Sequence, residues 1–159
     1  MNQRITDMLE LQYILEKQYQ FLNLSESITE LQLEMVTEMG ELLQATKGIW
    51  CKRIRHDIPY DKKHTLEELA DCIHFALASV LEMNQQLHMD WFEYPIDAQF
   101  ELQHKKGIND LIEMYINQEY GCLAAIFLIG DKFGFTFEEM YEAYKNKNKI
   151  NLQRLKDGY

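Results

Sequence analysis

The chain has 159 residues, with 26 Asp and Glu against 16 Lys and Arg, and a formal net charge of −10. Seven Gly, two Pro and only two Val (Val36 and Val80) are too few turn formers and β-branched residues for an all-β or parallel α/β domain. The acidic surplus argues against duplex nucleic acid as a partner, the 47 % hydrophobic content against a disordered chain, and the lack of any apolar run near ~18 residues against a membrane span.

The first segment runs from about Thr6 to Leu22, where Met8, Leu11, Leu15, Tyr19 and Leu22 recur at helical spacing. The polar stretch NLSES follows. Ser27 with Glu30 is a capping box for a second helix, whose stripe is Ile28, Leu31, Met35, Met39 and Leu42. That helix is expected to end near Lys47 and Gly48, with glycine as terminator. Residues 49–64 (IWCKRIRHDIPYDKKH) are basic and irregular and read as a loop. Thr65 with Glu68 is a second capping box, opening a long helix to about Leu87 with Leu66, Leu69, Ile73, Leu77 and Val80 as its stripe.

Residues 88–107 read as a mixed connection holding a short helix. Helical patterns then cover Asn109 to about Asn117 and Glu119 to about Phe133, with Gly134 as a stop. A third capping box, Thr136 with Glu139, leads into a final helix toward Leu155. No internal repeat or low-complexity linker interrupts this order. The expected fold is all-α, a single-domain bundle of about five or six helices over residues 1–159.

The opening MNQRITDMLELQ has neither the apolar core nor the small-residue cleavage site of a secretory signal. Cys51, Cys72 and Cys122 are odd in number and far apart, without a CxxC pair. That spacing fits neither thiolate zinc nor a disulfide framework. Cys72 and Cys122 sit in apolar runs and read as small buried hydrophobes, in keeping with a reducing cytoplasm.

The second helix carries Glu34, Glu38 and Glu41 in one line, Glu38 nearest the apolar stripe. The third carries Glu68 and Asp71 three residues apart, on a face shared with Phe75 and Ala78. A single Glu-rich helix face is usually just solvated. Two such pairs beside apolar stripes are another matter, because clustered carboxylates repel and lose hydration, and a divalent cation resolves both costs. All-oxygen ligation suits Mg²⁺, with Mn²⁺ as a substitute. If Glu68 caps its own helix, Glu67 is the ligand instead. Gly40 lies between the two acids of the second helix, where a mid-helix glycine suggests close approach of a backbone or ligand.

Positive charge gathers in two places, the Lys47–Lys63 segment and the tail YKNKNKINLQRLKDGY. A helix C-terminus favours cations through its dipole, yet that does not account for Asn148, Asn151 and Arg154 at helical spacing. Amides with a guanidinium are a set that reads phosphates and bases. Gln20 and Asn23 lie three apart at the end of the first helix, and Trp50 sits in the basic loop, either stacking on a base or anchoring the loop. His74 is placed to hydrogen-bond a ligand or to orient Asp71.

Taken in order, QFLN, EMGE, W-x-K, ELADCIHF and KNKINLQRLKDGY resemble the dimeric, all-α dUTPases of the all-α nucleoside triphosphate pyrophosphatase superfamily. The ExxE…ExxD core is shared with MazG-like enzymes and phosphoribosyl-ATP pyrophosphatases. The QxxN, the His-Phe pair and the tail are the more specific signals, while residues 84–135 carry no recognised motif. The resemblance implies Mg²⁺-dependent hydrolysis of dUTP, and of dUDP, to dUMP by attack of metal-activated water on a phosphate. It makes Glu38, Glu41, Glu68 and Asp71 the metal ligands, with Glu38 or Glu41 activating the water. It places Gln20, Asn23, His74 and Phe75 near the uracil and deoxyribose, Trp50 and Lys52 against the nucleotide, and Lys147, Asn151, Arg154 and Tyr159 on the phosphates. A homodimer is also implied, and eight Met, eight Phe and nine Tyr are more large apolar surface than one small core needs. A related pyrophosphatase for another nucleotide and a non-enzymatic helical interaction module remain the alternatives.

Overall fold

Two helix starts form as their sequences dictate. The Ser27 hydroxyl accepts from the Glu30 N–H, while the Glu30 carboxylate accepts from the Ser27 N–H at 2.7 Å. Thr136 and Glu139 make the same reciprocal pair. The computed structural model describes residues 2–50, 60–86, 96–118 and 121–158, and among them every regular element is helical. In chain order these are α1 (Asn2–Phe21), α2 (Ile28–Ala45), α3 (Lys47–Trp50), α4 (Lys62–Gln86), α5 (Ile96–Gln103), α6 (Ile108–Ile116), α7 (Cys122–Lys132) and α8 (Phe137–Lys156). Seven of the eight have eight residues or more. The excess over five or six is α5, the short helix inside the 88–107 connection.

Several boundaries differ from expectation. α1 begins at Asn2 rather than Thr6, because Ile5, Met8, Leu9, Gln12 and Leu15 form its buried line. Leu22, the expected end of the stripe, is instead 43 % exposed. α2 stops at Ala45, where Thr46 returns its hydroxyl to Leu42 O at 2.8 Å. Gly48 is therefore not its terminator but lies within α3. The segment read as a loop is helical at both described ends, through Trp50 and from Lys62.

The expected Thr65–Glu68 capping box does not form. Asp61 does that work, its carboxylate accepting from the His64 N–H at 3.0 Å and its carbonyl from the Thr65 N–H at 2.9 Å. Thr65 is buried inside the first turn, and Glu68 is released to face elsewhere. α7 starts at Cys122, after Gly121 at φ +103°. Gly134, at φ +87°, follows α7 as the expected stop.

α4 is the axis of the molecule. Leu69, Ala70, Cys72, Ile73 and the run from Ala76 to Leu81 are buried, and α1, α2, α7 and α8 pack around it. Each large aliphatic side chain so buried contributes about 1.5–3 kcal/mol. Buried tyrosines join the layers: Tyr115 donates to Cys72 O at 2.8 Å, and Tyr144 to Met8 O at 3.1 Å. Gly130 lets α7 lie close to its neighbours, since a Cβ there would fall 2.3 Å from Met140 Sδ and 2.8 Å from Leu69 Cδ2. Cys72 and Cys122 are buried free thiols, and burial pushes the Cys122 pKa up to about 12. Cys51 lies outside the described residues. No helix among the described residues is long and apolar enough to cross a membrane.

Candidate active site

The packing of α2 on α4 sets two acidic lines face to face. Carboxylate oxygens of Glu38, Glu41 and Glu68 all lie within 4.8 Å of one another. Burial pushes the Glu38 carboxyl from 4.5 to about 7, and the charges of Asp71, Glu41 and Glu68 add to the rise. Glu68 is also raised by burial, opposed by His64, whose Nδ1 is 3.3 Å from its carboxylate. Asp71, one turn beyond Glu68, is paired to α8: Lys147 Nζ lies 2.6 Å from its Oδ1 and 2.7 Å from its Oδ2. Burial raises Asp71 and the lysine pulls it back down.

Glu38 and Asp71 border a cleft of about 390 Å³, whereas Glu41 and Glu68 line a separate open hollow. The cleft takes basic and polar groups from α8, namely Lys147, Asn151 and Arg154. Tyr19, Leu31, Phe75 and Ala78 give it an apolar part. Glu16, Glu26 and Glu34 complete the wall. Glu26 is raised by burial and by the nearby charges of Glu34, Glu16 and Glu30. A cleft that combines cationic and apolar groups, with Glu38 of the convergent trio on its wall, suits a ligand with a polyphosphate and a planar or cyclic organic part.

His74 and Phe75 stand together in the cleft lining, their rings 5.1 Å apart and near perpendicular at 87°. Burial drops the His74 pKa to about 4, so the imidazole is neutral at pH 7. Gln20 sits outside the cleft lining, on an adjoining hollow of about 250 Å³ that shares Glu16, Glu26, Leu31 and Ala78 with it. Asn23 ends α1 in the left-handed region at φ +57° and lines neither. Trp50 donates its indole N–H to Leu43 O at 2.8 Å, the anchoring alternative, and does not line the cleft. Lys52 and Tyr159 lie outside the described residues.

The close approach expected at Gly40 is absent, since a Cβ there would meet nothing within 4 Å. It faces an open hollow beside Glu41, Glu68 and His64. Of the interleaved amides of α8, Asn148 is pinned inward, donating to Leu11 O and Tyr144 Oη at 3.3 Å each. Only Asn151 of the two borders the cleft.

The family model described as dUTPase matches residues 4–159. The chain belongs to the dUTPase family. No curated protein and no solved structure gave a significant match. Membership makes the chain a hydrolase of the dUTP diphosphatase class, acting on a nucleotide. For a dUTPase-family chain, the residues that sequence reading missed are informative. Glu16 and Glu26 shape the wall, and Gln12, 0 % exposed, stands behind His74.

Proposed function

We propose that the chain hydrolyses dUTP, and also dUDP, to dUMP with Mg²⁺ as the preferred ion and Mn²⁺ as a substitute, working as one domain across its length. The observation that carries this reading is the convergence of Glu38, Glu41 and Glu68 within 4.8 Å, with Glu38 lining a cleft that also takes Lys147 and Arg154. The donor set is all oxygen, and Glu38 is raised to about 7 by burial and like charge, so the residues fit a hard divalent cation. Glu38, Glu41 and Glu68 would hold it, with Asp71 joining once Lys147 turns to a phosphate. When bound, the ion supplies charge neutralisation on the phosphates and lowers the pKa of water.

The protein's own groups supply the rest. Glu38, half-buried, takes the proton of the attacking water, and Glu41 is its neighbour one turn on. Lys147 and Arg154 offset charge that builds on the departing phosphate. Phe75 and His74 hold the nucleoside away from water. Two buried free thiols, Cys72 and Cys122, support a reducing, cytoplasmic setting. Leu33 and Val36, 64 % and 48 % exposed on the outer face of α2, support a homodimer.

The deciding experiment is pyrophosphate release from dUTP, dTTP, dCTP and UTP, each with and without Mg²⁺. Preference for dUTP that needs the ion is expected. Equal turnover of the four, or turnover indifferent to EDTA, would overturn the reading.

A further inference from the structure

His74 has two ring nitrogens in different surroundings. Nε2 lies 3.4 Å from the side-chain nitrogen of Gln12. Nδ1 is buried and finds no hydrogen-bond partner among the described residues. The ring is among the side chains that line the cleft. Which nitrogen carries the proton of the neutral imidazole decides whether His74 can donate to a ligand or only accept.

Gln12 settles that question through its own contacts. Its amide nitrogen is 2.7 Å from Glu16 Oε1, and its amide oxygen is 3.0 Å from the Tyr144 hydroxyl. Turned around, the amide oxygen would face the Glu16 carboxylate, acceptor against acceptor. The nitrogen therefore directs one N–H at Glu16 and the other at His74 Nε2. Nε2 must accept, so the imidazole proton is on Nδ1. A buried donor without an acceptor is unfavourable in the free protein and is relieved by a ligand oxygen. The phosphates already face charged Lys147 and Arg154, so a neutral N–H suits a neutral hydroxyl or carbonyl oxygen of the nucleoside.

We propose that Gln12 is a positioning residue, whose amide holds His74 in the Nδ1–H tautomer so that the ring keeps a donor for a neutral oxygen of the bound nucleoside. This rests on the nucleotide reading of the cleft. Glu16 acts one step further back, fixing the direction of the Gln12 amide.

The test is nitrogen-15 NMR of the histidine rings in the full-length protein, with the His74 signals assigned by their loss in His74→Asn. Parent protein at neutral pH is expected to show His74 with Nδ1 protonated and Nε2 bare, a result that needs no Gln12 variant to fold. Gln12→Met keeps the length and removes the donor. It should shift His74 toward the Nε2–H form and lower kcat/KM for dUTP on the order of tenfold, the scale of one hydrogen bond. An Nε2–H ring in the parent overturns the proposal. So does a folded Gln12→Met protein that keeps the Nδ1–H form or the parental kcat/KM. A parent without dUTP turnover sinks the nucleotide reading and the proposal with it, whereas the other outcomes sink the proposal alone.

Discussion

Lys147 and Asp71, 76 residues apart, form a two-oxygen ion pair that ties α8 to α4 at the mouth of the cleft, with Nζ 2.6 and 2.7 Å from the two carboxylate oxygens. The Asp71 charge still reaches the acidic trio and adds to the rise at Glu38 and Glu68. Lys147→Met leaves a half-buried acid without its cation. Because the side chains are only 28 % and 16 % exposed, the loss should destabilise by about 1–3 kcal/mol. Loss of a charged contact to phosphate should lower kcat/KM for dUTP by about 10–100-fold. Steady-state kinetics with a thermal melt separates the two effects; a fall in melting temperature without a kinetic loss would assign Lys147 to the scaffold.

Glu38 meets three like-charged neighbours, Asp71, Glu41 and Glu68. Glu38→Gln removes that repulsion, so the variant should melt no lower than the parent in EDTA. Its rise in melting temperature on adding Mg²⁺ should shrink, and kcat should fall by about 10²–10⁴, the range for loss of a general base. An unchanged Mg²⁺ shift would remove Glu38 from the ligand set.

Acid stability should depend on Glu139. Lys62 at 2.7 Å and the Thr136 cap hold its carboxyl down to about 2, from 4.5. A depressed carboxylate stabilises the fold above its unfolded pKa and loses that contribution as pH falls through the folded value. The difference in melting temperature between the parent and Glu139→Gln should therefore be full above about pH 4.5 and narrow toward pH 2.

His74 acts in a different window. Its pKa falls from 6.5 to about 4 because burial, helped by the Lys147 charge, disfavours the imidazolium. Gln12 and Phe75 are its other neighbours. The unfolded chain binds this proton and the folded one refuses it, so stability drops as pH falls from about 6.5 to about 4, by up to ~3 kcal/mol. Denaturant titrations across that range should show a steeper fall in the parent than in His74→Asn.

Two helical glycines should respond with opposite sign. Gly40→Ala adds a methyl into open space and should stabilise by about 0.5–1 kcal/mol. Gly130→Ala drives a methyl to 2.3 Å from Met140 Sδ and should destabilise by about 1–3 kcal/mol. Chemical denaturation of the two variants measures both.

What could be read from the chain was local. The Ser27–Glu30 and Thr136–Glu139 boxes involve residues three apart, and the α2 stripe Leu31, Met35, Met39 and Leu42 is buried as its spacing requires. The Thr65–Glu68 pattern misled because Asp61, four residues earlier, offers an equally good oxygen and starts the helix first. The acids of α2 and α4 were visible as lines, but the trio they form depends on how the helices cross. Gln12 behind His74, 62 residues apart, and Glu16 and Glu26 in the wall are set by the docking of α1, which no spacing within α1 encodes.

The burial of α4 on nearly every side has a mechanical consequence. Asp71 lines the cleft and Glu68 the neighbouring hollow, while Leu69, Ile73 and Leu77 lock into the core. A slip of the helix by a single residue would rotate it by about 100° and exchange acids for hydrocarbon in both places at once. The acids of α4 thus have no loose hinge of their own, and their placement should be lost in the same cooperative step as the core, leaving no intermediate that keeps one without the other.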